Sequence, residues 1–422
     1  MSRLDSASRA LYALVAVVAA AELALNVRYI LRASPVEFGW DLHVTCVGLD
    51  ALKRGADPYL AGGGPFYYPY LFHVAWISAP LCRLSPEGSM AYAWIYLGIM
   101  IGSVALAARA LRFSWPDAVL LGVAAPSVLH VATWVSLTGN VEVLEVPLAA
   151  AVVVSFCQGR FMLSGAALGA MASFKLLPVV GLLAFPFGLS KRGEAGRAIT
   201  AGLVTFAIIV MGNLAVMGDT RANFTTQLFG QIPRQYSATM EGGYGRTDPN
   251  IFEFASRLAE SAGVPYRNVS ATGIAFFFFL LGICLMAIRQ SGPIRDPVWR
   301  TRLFCVVLVT INLGLFRLKP YSYAAFLPFL LFCCTTSHRR LNGVLVMVAL
   351  VAEPVSTALP LPFVGRLFHV PAAFAARLSE IARVTNVYSQ VSGLVILLGA
   401  ILIALALEAR RSQARNVLTS AT

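Results

Sequence analysis

The sequence predicts an all-α polytopic membrane protein with about twelve transmembrane helices, and three observations carry that reading. The 422 residues are 58% hydrophobic and 13% charged, which leaves too little polar surface to cover a soluble globule of this size. The apolar residues fall in runs of spanning length, about 20 residues each. The basic residues stand in short clusters between those runs. A net charge of +13 gathered in one stripe would suit nucleic acid. Divided into pieces such as KRGEAGR at 191–197 and HRR at 338–340, it is a topology signal, and no nucleic-acid partner is expected.

The first run, Leu11 to Leu31, exceeds the core of a signal peptide and has no convincing cleavage site, so it is expected to remain as a span over 10–32. Further spans are expected at 67–84, 88–111, 117–136, 141–159, 162–190, 197–217, 269–289, 302–317, 320–337, 341–360 and 386–408. Lys175 and Pro178 interrupt 162–190 and could split it into two half-helices, but the charges favour one broken span. With the N terminus in the cytoplasm, the clusters at 191–197, 289–302, 339–340 and 410–415 all fall inside. Arg109 and Arg112 fall outside, against the rule. The longer loops at 33–66, 218–268 and 361–385 then share the extracytoplasmic side of a single transmembrane domain covering 1–422.

Two of those loops contain helical pieces. Asp41 can cap or open a helix through about Leu52, whose Leu42, Val44, Val47 and Leu49 suit a position at the membrane interface. Asp248 and Pro249 fit the start of a second such helix. The seven cysteines lie mostly in apolar segments with no C-x-x-C or Cys/His spacing, so packing is expected of them, not disulfides or metal. No cofactor or metal ion is implied.

A carboxylate just beyond the end of a span sits where desolvation can raise its proton affinity, and Asp41 holds that position. A bare capping role is the alternative. Asp50 falls on the interfacial helix and Asp57 in an Asp-Pro-Tyr turn. Lys175 at bilayer depth costs ~2.5–3.5 kcal/mol and so faces a cavity or a partner, for which Glu142 and Glu145 offer themselves. Arg317 and Lys319 stand at an outer membrane boundary, free to meet a phosphate or to snorkel. His73 and His130 fit packing better than catalysis. Arg246 and Asn250 belong to a polar loop set that could hold a sugar.

An Asp after the first span, then Gly55-Ala56-Asp57-Pro58-Tyr59, then Tyr67-Tyr68-Pro69 resembles the GT-C class of polyprenyl-phosphate-dependent membrane glycosyltransferases. The detail is most similar to bacterial family 87, which includes mycobacterial mannosyltransferases. Further pieces follow in order: Thr138-Gly139-Asn140, Ser164 to Pro178, Asp248-Pro249-Asn250 to Leu258, and Lys319-Pro320-Tyr321-Ser322-Tyr323. Where many members carry histidines after that last element, this chain has Tyr323-Ala324-Ala325.

The resemblance implies a GT-C-like architecture and an inverting transfer in the bacterial inner membrane, with the active site facing the periplasm or cell exterior. Asp41 would be the catalytic base. Tyr68, His73, Lys175, Arg246, Asn250, Arg317, Lys319 and Tyr321 would be candidates for holding a polyprenyl-phosphate sugar donor or a lipid or glycan acceptor. The transferred sugar would be a hexose, mannose first among them. A secondary transporter or lipid flippase, with the buried charges as a midplane site, is the rival reading.

Overall fold

The computed structural model describes residues 6–32, 39–61, 68, 70–84, 90–175, 177–189, 191–226, 282, 296–313, 320–335, 339–352 and 389–420. Every regular element among them is helical, as the sequence predicts. Among the described residues, three helices are long and apolar enough to cross a membrane: Arg9–Arg28, Ala91–Ala110 and Arg192–Val216. The expected span at 269–289, apart from residue 282, the expected loop at 218–268 beyond residue 226, and the loop at 361–385 lie outside the described residues.

Helix α1 spans Ser6–Arg32 and α2 Trp40–Lys53, followed by two short helices, α3 (Phe72–Ile77) and α4 (Ala79–Leu84). Then come α5 (Ala91–Ala110), α6 (Trp115–Ala124), a 3-10 segment at Ala125–His130, and α7 (Val131–Thr138). A 3-10 turn at Val141–Glu145 leads into α8 (Val146–Cys157), and α9 covers Phe161–Lys175. The chain continues through a 3-10 segment at Leu177–Ala184, α10 (Phe185–Gly188), α11 (Arg192–Val216) and α12 (Thr220–Thr226). Last are α13 (Pro297–Leu313), a 3-10 segment at Pro320–Phe326, α14 (Leu327–Cys333), α15 (Arg339–Val351) and α16 (Ser389–Ser420).

Small residues fix how the middle of the bundle is threaded. A Cβ on Gly165 would lie 2.0 Å from the carbonyl oxygen of Ala198, and one on Gly169 would lie 2.1 Å from that of Gly202. Only hydrogen fits at either place, so α9 and α11 approach backbone to backbone, as small residues allow between apolar helices. Residue 165 faces 198 and 169 faces 202, so the two helices run parallel. The stretch 177–188 must therefore return between them. This corrects the expectation of one broken span over 162–190: the segment makes two passes, with its turn beside Lys175.

The expected span at 67–84 is also corrected. Tyr70 approaches Asn140, and Tyr92 donates to the Ser136 carbonyl at 2.6 Å, so the chain enters and leaves the α3–α4 segment at the same end of the bundle. Pro80, lacking an N–H, falls beside the break between the two helices. The segment is also stapled to α2 by a disulfide between Cys46 and Cys82, whose Cα atoms are 5.6 Å apart. Packing was expected of these cysteines; the fold brings together two that are separated by 36 residues with no local spacing signal.

The two departures offset each other. Lys191 keeps its expected end, while everything between residues 91 and 175 exchanges ends. Arg109 and Arg112, which broke the charge rule, now share the end that holds Thr335, Gly343 and the Arg302–Glu408 ion pair at 2.8 Å. Near that end Phe156 stacks on Phe304 with centroids 4.2 Å apart, and a Cβ on Gly188 would lie 2.7 Å from the Phe156 ring. The opposite end carries Asp41.

Candidate functional site

The N terminus of α2 places Asp41. The N-cap is Gly39, in the left-handed region at φ 80, with no side chain to cap with, and Asp41 lies in the first helical turn. A negative charge there is favoured by the helix dipole. A second left-handed glycine, Gly139 at φ 67, lies against the first: a Cβ on it would be 2.9 Å from the Gly39 Cα. Two backbones that close leave no room for side chains, and the contact sets Asp41 beside Asn140.

Asn140 is held in one orientation. Its Oδ1 accepts from the Glu142 backbone N–H at 2.9 Å, capping the 3-10 turn, and its own N–H donates to the Thr138 hydroxyl at 3.2 Å. The Nδ2 group is left to donate to the Asp41 carboxylate at 2.7 Å, with the Tyr70 hydroxyl at 3.4 Å. Tyr96 donates to the Gly139 carbonyl at 3.0 Å and steadies the turn. Burial, and then the Asp41 charge, push the Tyr70 hydroxyl well above the usual tyrosine range, so it stays protonated.

Around this centre are further polar groups. The Lys175 ammonium pairs with the Glu142 carboxylate, one of the two partners the sequence offered it, and Glu142 is buried. Glu145 is buried one turn on, with no hydrogen-bond donor to its Oε1 among the described residues. The His73 backbone N–H donates to Asn213 at 2.9 Å, and its Nε2 lies 3.1 Å from the Ser173 hydroxyl. That hydroxyl already donates to the Ala170 carbonyl at 2.6 Å, so the ring N–H donates to it. Burial lowers the His73 pKa, which the Asn213 contact opposes, and the imidazole is neutral at pH 7.

Other sequence candidates take supporting places. Tyr68 is buried, with its hydroxyl donating to the Leu71 carbonyl at 2.7 Å and accepting from the Ala75 N–H at 3.0 Å; it braces the loop and does not meet Asp41. Asp57 accepts from the Tyr59 N–H at 2.8 Å and from Asn223 at 2.6 Å, as a turn residue does. Asp50 pairs with Lys53 on an exposed helix face. Tyr321 lies in the 3-10 segment 320–326, which packs against α7 and the Val141–Glu145 turn. Arg246, Asn250, Arg317 and Lys319 lie outside the described residues.

Sequence reasoning assigned no site role to Asn140 or Tyr70. The Thr-Gly-Asn string was visible, but the expected topology placed it on the side away from Asp41. Among the described residues, no three His, Cys, Asp or Glu side chains gather as metal ligands. The arrangement offers a half-buried carboxylate with one oxygen oriented by Asn140, the Tyr70 hydroxyl on the same amide, and a lysine whose charge is balanced by a buried acid.

The profile of glycosyltransferase family 87 matches residues 66–312. No curated protein matches the chain. Among solved structures, ArnT from Cupriavidus metallidurans bound to undecaprenyl phosphate is similar at 16% identity and a TM-score of 0.46, over 96% of this chain and 78% of that one.

Proposed function

This chain belongs to glycosyltransferase family 87, and on that premise we propose that it transfers a hexose, mannose in the first instance, from a polyprenyl-phosphate sugar to a hydroxyl of a lipid-linked or cell-envelope acceptor. Asp41 takes the proton of the acceptor hydroxyl. The freed oxygen attacks the anomeric carbon on the face opposite the phosphate, the carbon–oxygen bond to phosphate breaks, and polyprenyl phosphate leaves with its electron pair. The configuration inverts. A base on the acceptor side and positive charge near the departing phosphate are the two requirements of such a displacement. Lys175 is the described cation nearest to serving the second, with Arg317 and Lys319 as further candidates.

The observation that carries the reading is the bond from Asn140 to Asp41 at 2.7 Å, made where α2, Tyr70 and the 141–145 turn converge. A carboxylate with one oxygen pinned presents the other in a fixed direction. The reading includes about twelve membrane passes with the Asp41 end facing the periplasm or cell exterior. The Cys46–Cys82 disulfide supports that side, since such bonds persist in oxidising compartments. The basic residues at the other end support it as well.

The test is donor dependence. Purified protein in lipid vesicles, given a hydroxylated glycolipid acceptor, should form product from a polyprenyl-phosphate hexose and none from a nucleotide sugar alone. Product from the nucleotide sugar with no lipid carrier would end the proposal of a lipid-linked donor.

A further inference from the structure

A polar cavity of about 440 Å³ opens at the end of the bundle away from Asp41. It lies between the α5–α6 turn, α1, the end of α14 and α15, with Arg109, Arg112, Asp117 and Asn342 on its polar side and Phe113 and Val346 among its apolar walls. Arg109 is ~20 Å along α5 from Tyr96, the residue that steadies the Asn140 turn, so the two sites do not overlap.

The backbone at Arg112 is unusual. Helix α5 closes with the Arg112 N–H donating to the Arg109 carbonyl at 2.9 Å and the Phe113 N–H reaching back to the Ala108 carbonyl at 3.0 Å. That closure puts the penultimate residue in the left-handed region, and Arg112 stands there at φ 66. Glycine is the usual occupant, because a Cβ is penalised in this conformation. A residue kept at a strained position points to a use for its side chain, and here that side chain is a guanidinium lining the cavity.

Arg109 supplies a second guanidinium in a fixed place. It donates to the Phe113 carbonyl and lies over the Trp115 ring at 4.5 Å from the centroid. Among the described residues the wall has one carboxylate, Asp117, which accepts from the Ser114 hydroxyl at 2.6 Å within the first turn of α6. Two guanidinium groups against one engaged carboxylate leave the lining positive. Trp115, 62% exposed, marks the level of an aqueous–apolar boundary.

We propose that this cavity binds the phosphate group of a membrane lipid, with Arg112 and Arg109 as the anion contacts and the apolar walls receiving the start of the acyl chains. Guanidinium pairs suit phosphate oxygens by their fork of donors. The site is independent of the transfer chemistry, and its test reads binding alone.

The full-length protein in neutral detergent would be titrated with dihexanoyl phosphatidic acid, inorganic phosphate and uncharged dihexanoylglycerol, following thermal unfolding and native mass spectrometry. The phosphatidic acid should bind and raise the unfolding temperature, with phosphate weaker and the uncharged lipid without effect. Arg112→Gly should weaken phosphatidic acid binding roughly tenfold or more. Because glycine relieves the left-handed backbone, the same variant should unfold no earlier than the parent without ligand. Arg112→Asn, which also tolerates this conformation, should lose the same affinity. Undiminished binding by either variant, or equal binding of the uncharged lipid, would overturn the site. Inorganic phosphate binding as tightly as phosphatidic acid would overturn the lipid as its source.

Discussion

Asn140 gives Asp41 its direction because the amide is committed on both sides, with Oδ1 on the Glu142 N–H and Nδ2 on the carboxylate. Replacing it by alanine removes one hydrogen bond to a charged group, an interaction worth roughly 1.5–3 kcal/mol. Asn140→Ala should therefore slow transfer about tenfold to a hundredfold, with donor binding little changed. A steady-state comparison of kcat and KM checks this; a rise in KM with kcat intact would mean that Asn140 binds substrate and does not orient the base. The residue was hidden from sequence reasoning for a topological reason. Asp41 is identifiable from its place after the first span, whereas Asn140 becomes its neighbour only through a contact 99 positions away. That contact depends on two glycines at positive φ, a conformation that single-sequence patterns leave open.

At the scale of elements, apolar runs marked the helices well and their traverses less well. The run at 67–84 has spanning length and composition, yet it folds as two short helices laid beside α2, because Tyr70, Tyr92 and Cys82 all have their partners at one end. Hydropathy records the solvent a segment prefers and not whether it crosses. The run at 162–190 erred the other way, since the return at Lys175 was legible as a break but its hairpin was not. The parallel packing of α9 and α11 through Gly165, Gly169 and Gly202 settles that point. The disulfide has a direct consequence for the helix bearing Asp41. Closing a loop across a sequence separation of 36, it should contribute ~4 kcal/mol of stability. The Cys46→Ser, Cys82→Ser double variant should unfold at a lower temperature and transfer more slowly, as measured by thermal denaturation and product formation. A variant as stable as the parent would show that packing alone holds α2 in place.

For the whole molecule, the exchange of ends between residues 91 and 175 makes a prediction that separates the observed threading from the one expected from charge alone. Single cysteines at Gln158 and Arg112 should react with membrane-impermeant reagent only from the side that also exposes 191–197, and a cysteine at Ala61 only from the other. Labelling of Gln158 from the same side as Ala61 would restore the sequence-based threading and separate Asn140 from Asp41. Arg109 and Arg112, the main misfits to the charge rule in the expected threading, stand in the observed threading at the end that carries Lys191. The measurement that bears most directly on the central claim is transfer by Asp41→Asn. Asparagine serves a helix N terminus about as well as aspartate, and its amide oxygen can still accept from Asn140. The purified variant should fold and bind a polyprenyl-phosphate hexose like the parent while transferring ~10²–10⁴-fold more slowly, the share a general base supplies. Near-parental transfer by Asp41→Asn would contradict the assignment of Asp41 as the base.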